Sequence, residues 1–352
     1  MAGHSRDGFR LSVLNPGGRD PEQDFATAGG LQDAPHAPVN FHAYAACTGG
    51  TFYRDVTRAA EAKHPVLLLL RGDFRAADRA LRALHKAGVS VAVSLKETGL
   101  HQIAEQLADA GRLKRFMEIV SAADGCIAPT PEAADIYRDL RRGGEAVAFI
   151  PTPYPLHDPQ WDFSATIDYR HGILVGTREW DVPSRNHAAA LFAARQVSDV
   201  TGCRVTAYNF DGRKGERLLK QVGFRPNRLR IMARGSGYAD YLRIVAEHKL
   251  VLEMDTSFVP GQVAGDALLC RVPCVGGNGA VDRLAYSSTC GAGRFGAELV
   301  DIATRLLVDA EFYTQTVAES QKNAAERLSF SGVAAELERF FARLPKREAE
   351  RS

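Results

Sequence analysis

The residue types best suited to chemistry lie in the second half of the chain. A short apolar run, Ile173-Leu-Val175, ends at Gly176-Thr177-Arg178, and the next helical pattern begins near Asn186-His187. Arg178, Arg185 and Asn186 therefore bracket a helix N-terminus, where free backbone N–H groups and the helix dipole attract anions. Two guanidinium groups added to that position suit a phosphate or diphosphate. The competing reading is two surface arginines beside Glu179 and Asp181.

A second constellation follows in His248 to Gly277, which reads as strand, loop, helix and strand. Leu250-Val-Leu252 is apolar, Val259-Pro260-Gly261 breaks the chain, and Gln262 to Cys270 fits about two and a half turns at roughly 3.6 residues per turn. In an open parallel sheet, ligands sit beyond the carboxyl ends of strands. That rule puts Asp255, Gly261, Gln262 and Asp266 at a ligand edge; otherwise they are polar loop residues of an ordinary crossover. Between the two constellations runs Ala233-Arg234-Gly235-Ser236-Gly237-Tyr238. Gly235 lets a backbone approach a ligand closely. Tyr238 either stacks on a base or packs on its own helix.

The elements that must position these residues alternate along the chain. Strands are expected at 11–14, 39–45, 65–70, 89–95, 125–128 and 147–150, with helices at 51–62, 76–87, 99–110, 113–123 and 131–141. Pro65 to Leu70 is apolar throughout, as expected of a parallel strand buried on both faces. Residues 19–39 form a long loop. Residues 156–170 are polar and aperiodic and read as a linker, after which the alternation restarts, with helices at 187–201, 215–222, 239–248, 296–308, 310–328 and 331–344. Alternation of this kind predicts an α/β chain with two Rossmann-like, doubly wound domains. We divide it into a disordered tail (1–9), a first domain (10–158), a second domain (159–330) and a C-terminal helix with a charged, fraying tail (331–352). A cleft between the domains is the default ligand site.

Composition narrows the function. The chain has 352 residues, 45% hydrophobic and 24% charged, with net charge +2, which gives no basis for a nucleic-acid partner. The first ten residues contain no apolar stretch resembling a signal peptide, and the longest apolar run is far below the roughly 20 residues that span a bilayer. A cytoplasmic location is expected, with contact at the inner face of a membrane left open. Six cysteines form no CxxC pair, so no metal site is expected. No GxGxxG follows an early strand, which argues against a dinucleotide oxidoreductase.

Three segments, taken in order, resemble the GT-B glycosyltransferases, in particular their family-4-like members. "ADGCIAPTPEAADIYRDL…AVAFIPTPYP" is similar to the close of their acceptor domain, "ILVGTR…RNH" to the first strand of their donor domain, and "PGQVAGDALLCRVPCVGG" to their segment "fGlvvlEAmacGvPvV". The resemblance covers about residues 11 to 340. Gly261 matches the loop glycine, and Asp266 stands at the second Glu of the E-x7-E motif. The first Glu position holds Phe258, which leaves that role to Asp255 or unfilled.

What the resemblance implies is a hexosyltransferase. It would pass a sugar from a UDP- or GDP-linked donor, with no bound metal or other cofactor required, to a glycan, lipid-linked or small-molecule acceptor. Arg178, Arg185 and Asn186 would hold the diphosphate. Gly235, Tyr238, Asp255, Gly261, Gln262 and Asp266 would face the nucleotide and sugar. The acceptor would meet Asn15 to Gly18, His42 to Tyr44, Arg71 to Asp73 and Lys96 to Gln102. If the reaction inverts, the general base would be His42, Asp73, Glu97 or His101; if it retains, these would bind acceptor. Two other readings stand beside this one, a non-catalytic module binding sugar nucleotide or glycan and a sugar-nucleotide epimerase.

Overall fold

The computed structural model describes residues 8–27, 36–141, 146–164, 170–235 and 237–348. It divides into two compact units, 1–155 with 328–352, and 156–327.

The first unit runs β1 (Ser12–Leu14), β2 (Gln23–Asp24), α1 (Phe41–Ala46), β3 (Thr51–Tyr53), α2 (Val56–Glu61), β4 (Val66–Leu70), α3 (Arg75–Lys86), β5 (Val91–Leu95), α4 (Leu100–Leu107), α5 (Ala110–Ala122), β6 (Gly125–Ala128), α6 (Pro131–Leu140) and β7 (Val147–Phe149). Its seven strands lie in the order β2-β3-β1-β4-β5-β6-β7. Among the described residues only β2 is antiparallel to its neighbour. The apolar run of β4 explains the layering. Val66, Leu68 and Leu70 pack with α3, α5 and α6 on one face. Leu67 and Leu69 face the opposite layer, with Phe41, Val333 and Leu337. A strand with helices on both sides has no polar face to show, which is why its sequence does not alternate.

The second unit runs β8 (Ile173–Val175), α7 (His187–Thr201), β9 (Val205–Tyr208), α8 (Gly212–Val222), β10 (Leu229–Met232), α9 (Tyr238–Ala246), β11 (Leu250–Leu252), α10 (Gln262–Leu269), β12 (Cys274–Val275), α11 (Ala280–Ala285), α12 (Gly296–Val308) and α13 (Ala310–Arg327). Its five strands are all parallel, in the order β10-β9-β8-β11-β12. The order reverses between β8 and β11, which is the switch point where such sheets bind ligands. The last helix, α14 (Phe330–Ala342), belongs to the first unit, where Phe341 packs against Phe9 at 5.9 Å.

Several expectations need correction. The strand expected at 39–45 is replaced by the helix α1: Phe41 through Ala45 are all buried, so their apparent alternation marked no polar face. Residues 51–62 split into β3, paired with β1, and α2, whose start is fixed by Asp55 accepting the Arg58 N–H at 3.0 Å. Within the tail expected to fray from Pro345, residues 345–348 are described, and Arg347 Nε donates to Asp124 Oδ1 at 2.7 Å. Of the linker, Trp161 is buried and the Phe163 N–H bonds Leu269 O at 3.0 Å, so its first half packs on the second unit. Residues 1–7 of the expected disordered tail, 165–169 of the linker, Ser236 and the last four residues lie outside the described residues.

Candidate functional site

In the second unit, the carboxyl ends of β8 and β11 are stitched together by the sequence-expected residues themselves. Arg185 ends a short 3-10 turn, and its guanidinium pairs with the Asp255 carboxylate. Asp255 Oδ1 also accepts the Ser257 N–H at 2.7 Å, so both its oxygens are engaged. Asn186 stands in the left-handed region (φ 48°) at the cap of α7, and its amide donates to Met254 O at 2.9 Å and Thr256 Oγ1 at 3.1 Å. The Thr256 N–H reaches Ser184 O at 2.8 Å, and the Ser257 hydroxyl reaches Ser184 Oγ at 2.8 Å. Residues 184–186 and 254–257 thus form one braced edge. Arg185, Asn186 and Asp255 spend their side chains holding it.

Arg178 differs: it is half-exposed, and among the described residues only Glu179 is its ion partner, at 3.7 Å. Its guanidinium lies 5.6 Å from the Phe210 ring centre. It is also close enough to Asp266 for its charge to lower that carboxyl's pKa. Asp266 lies midway along α10 and is 2% exposed. The Tyr238 hydroxyl donates to its Oδ1. Burial outweighs both contacts and pushes the Asp266 pKa up to about 7.

Around this pair runs a connected set of rings. Trp161 to Tyr238 is 5.9 Å, Tyr238 to Tyr241 6.4 Å, Tyr241 to Tyr208 6.2 Å and Tyr208 to Phe210 5.5 Å between centres. Phe210 is 46% exposed, and the buried Tyr208 hydroxyl has no hydrogen-bond partner among the described residues. The structure therefore brings Arg178, Tyr238 and Asp266 together. Tyr208, Phe210 and Tyr241 were missed; the signal was an aromatic pair closing β9 next to a polar turn.

The loop before α10 is shaped by tight packing. Gly261 has φ +90°, and a Cβ there would come within 2.8 Å of Asp282 Oδ2. Phe258 also has a positive φ, and its N–H is held by Asn278 Oδ1 at 3.1 Å. Gln262 opens α10 and is half-buried. Gly235 is exposed, and a Cβ there would meet nothing within 4 Å, so packing within the chain does not require glycine.

Behind the loop lies a buried trio, Glu253, Cys274 and Asp282, whose potential ligand atoms lie within 4.8 Å of one another. The Cys274 thiol donates to Glu253 Oε1 at 3.4 Å. Burial, then the neighbouring Asp282 and Asp255 charges, raise the Glu253 pKa well above the carboxylate range; burial lifts Asp282 to about 6. Two adjacent carboxyls that cannot both ionise share a proton. The trio reads as an internal brace.

In the first unit, Asn15 follows β1 and donates from Nδ2 to Asp20 Oδ2 at 2.8 Å, and Lys96, following β5, pairs with the same carboxylate. Gly18 lies against the Asn15 amide, where a Cβ would stand 2.2 Å from Nδ2. His42 sits beside this group. It is buried, stacked between His36 (3.8 Å) and Phe52 (3.6 Å), with Nε2 on Pro21 O at 2.9 Å. Burial drives its pKa down to about 4. Glu97 is exposed and accepts from Gln102 Nε2 at 3.3 Å. His101 lies half-buried on the first turn of α4. Asp73 caps α3 through the Arg75 N–H at 3.1 Å. Asp20 was missed because it lies in the aperiodic loop after β1.

No protein-family model matches the sequence, and no curated protein does. Solved structures do match. HepE from Anabaena, solved in complex with UDP, aligns over 96% of this chain and 100% of its own with TM-score 0.64 and 12% identity. A single-residue variant of TarM from S. aureus, in complex with fondaparinux, alpha-GlcNAc-glycerol and UDP, aligns over 84% of this chain and 58% of its own, with TM-score 0.60 and 12% identity. The trehalose-6-phosphate synthase OtsA aligns over 83% and 77%, with TM-score 0.59 and 11% identity. The chain has the GT-B fold. The two Rossmann-like units are the two halves of that fold, and the braced edge of the GT-B chain's second half lies at its topological switch point.

Proposed function

We propose that the chain is a hexosyltransferase that moves a sugar from a nucleotide-sugar donor to a glycan, lipid-linked or small-molecule acceptor. The observation that carries this reading is the grouping of Arg178, Tyr238 and Asp266 with an aromatic wall beside the switch point. A half-exposed guanidinium suits a diphosphate, a buried carboxyl suits a sugar or ribose hydroxyl, and ring faces suit a base. Arg178 would stabilise the charge that grows on the leaving diphosphate. Arg185, Asn186 and Asp255 would fix the loop that aims it. Gly235, Gly261 and Gln262 would border the donor.

UDP is the favoured nucleotide over GDP, supported by the UDP bound in HepE and TarM. In the first unit, Asn15, Asp20 and Lys96 would meet the acceptor. Glu97, exposed at the end of β5, is the favoured base for an inverting reaction; His42 and His101 would then shape the acceptor site. A cytoplasmic location and contact with the inner face of a membrane belong to the same proposal and rest on sequence alone; among the described residues no helix is long and apolar enough to cross a membrane. A second reading, a non-catalytic sugar-nucleotide-binding module, is favoured by Phe258 at the first acidic position of the motif.

The test is to incubate the protein with UDP- and GDP-linked hexoses, with and without oligosaccharide acceptors, and follow free nucleoside diphosphate. Release from one donor is expected. Nucleotide binding with no release or transfer across the panel would select the non-catalytic reading.

A further inference from the structure

The second unit contains a cavity of about 520 Å³, away from the braced edge. Its walls include Arg170, Arg271 and Tyr313 together with Leu156, Val317 and Ala318. Arg170 lies three residues before β8 and Arg271 three before β12. The cavity therefore opens at the amino ends of these strands, whereas Arg178 and Asp255 follow the carboxyl ends of β8 and β11.

Arg170 is the informative residue. It is 5% exposed, yet no carboxylate among the described residues pairs with it. Its Nη2 donates to Cys270 O at 2.6 Å, and its Nη1 to Arg271 O and to the Tyr313 hydroxyl at 3.0 Å. Its Nε–H is buried with no partner among the described residues. The carbonyls come from the C-terminal end of α10 and offset part of the charge through the helix dipole. They do not neutralise it, and a buried cation without a counter-ion is costly. Asp162 feels the Arg170 charge but is bound to Arg271 Nη2 at 2.9 Å. The Asp162 carboxylate is thus already engaged by the second guanidinium. Tyr313, 4% exposed, accepts from Arg170, which leaves its own hydrogen to donate. Among the described residues the cavity wall combines excess positive charge, a phenol donor and apolar side chains, within the size range of small-molecule sites.

We propose that this cavity binds a small organic anion, with its phosphate or carboxylate head toward Arg170, Arg271 and Tyr313 and its apolar body against Leu156, Val317 and Ala318. The head supplies a counter-charge that no described residue gives Arg170, and competes with Asp162 for Arg271. The site is independent of the proposed donor edge.

The test is calorimetric titration of the full chain with phenyl phosphate, phenylacetate and inorganic phosphate, with benzyl alcohol as the neutral control. Saturable binding of at least one of the two organic anions is expected, with inorganic phosphate weaker by about tenfold and benzyl alcohol silent. Arg271→Gln, and Ala318→Trp on the exposed face of α13, are each expected to weaken binding by about tenfold or more while circular dichroism stays unchanged. Arg178→Ala is expected to leave it unchanged, and UDP not to compete. No saturable heat at millimolar concentrations overturns the proposal, leaving Arg170 as a clamp on α10. So does equal affinity for inorganic phosphate, full affinity in Ala318→Trp, or displacement by UDP.

Discussion

Arg185 and Asp255 form an ion pair that ties the turn after β8 to the turn after β11, with the Asp255 side chain only 3% exposed. Arg185 is thereby placed as a structural member of the edge, while Arg178 stands half-exposed beside Asp266.

The first prediction separates these arginines. Arg178→Ala should weaken UDP binding by about ten- to a hundredfold, the worth of a charge-assisted contact of about 1.5–3 kcal/mol, with little change in melting temperature. Arg185→Ala should lower stability as well, by about 3–5 kcal/mol, because Asp255 is left buried and unpaired. Denaturant melts paired with calorimetry would show whether the two losses divide in this way.

The second concerns Asp266, whose folded pKa of about 7 lies above the ordinary carboxyl value near 4. Between these values the folded state holds the proton more tightly than the unfolded chain. Wild type should therefore lose stability relative to Asp266→Asn as pH rises through that window, by about 1.4 kcal/mol per pH unit at most. Donor affinity of the wild type should rise with pH through about 7 as the carboxylate forms. Parallel stability curves for the two proteins would refute the first point.

On the acid side, His42, His187 and His248 are buried and each driven down to about 4, first by desolvation. Here the unfolded chain binds the proton more tightly, near pH 6.5. Stability should be lost as pH falls from about 6.5 toward 4, the opposite sign to Asp266. Replacing His248, whose Nε2 meets Thr206 Oγ1 at 2.8 Å, by Gln should flatten that slope in pH-dependent melts.

Gly261→Ala tests the loop before α10. With φ +90° and Asp282 Oδ2 at 2.8 Å from the added Cβ, backbone strain and a clash coincide. A loss of about 1–3 kcal/mol is expected, with weaker UDP binding as the loop shifts. An unchanged melting temperature and affinity would remove Gly261 from the argument.

Much of the second unit was readable because its signals are local. His187–Thr201 and Gly296–Val308 appear with the expected ends. The edge residues follow apolar strands that could hardly be placed otherwise. The first unit was harder. Phe41–Ala46 form a helix buried on almost every side, so neither helical nor strand periodicity was visible. Asp20 joins Asn15 and Lys96 only through tertiary contact, from a loop without periodicity. Arg170 looked like the end of a linker; its importance comes from α10 and α13, which fold around it.

If the second unit binds a nucleoside diphosphate through Arg178, calorimetric titration of UDP and GDP into wild type and Arg178→Ala will show it. Saturable binding of UDP is expected, falling by about tenfold or more in the variant at unchanged melting temperature. No heat from either nucleotide at millimolar concentrations, or the same affinity in both proteins, would contradict it.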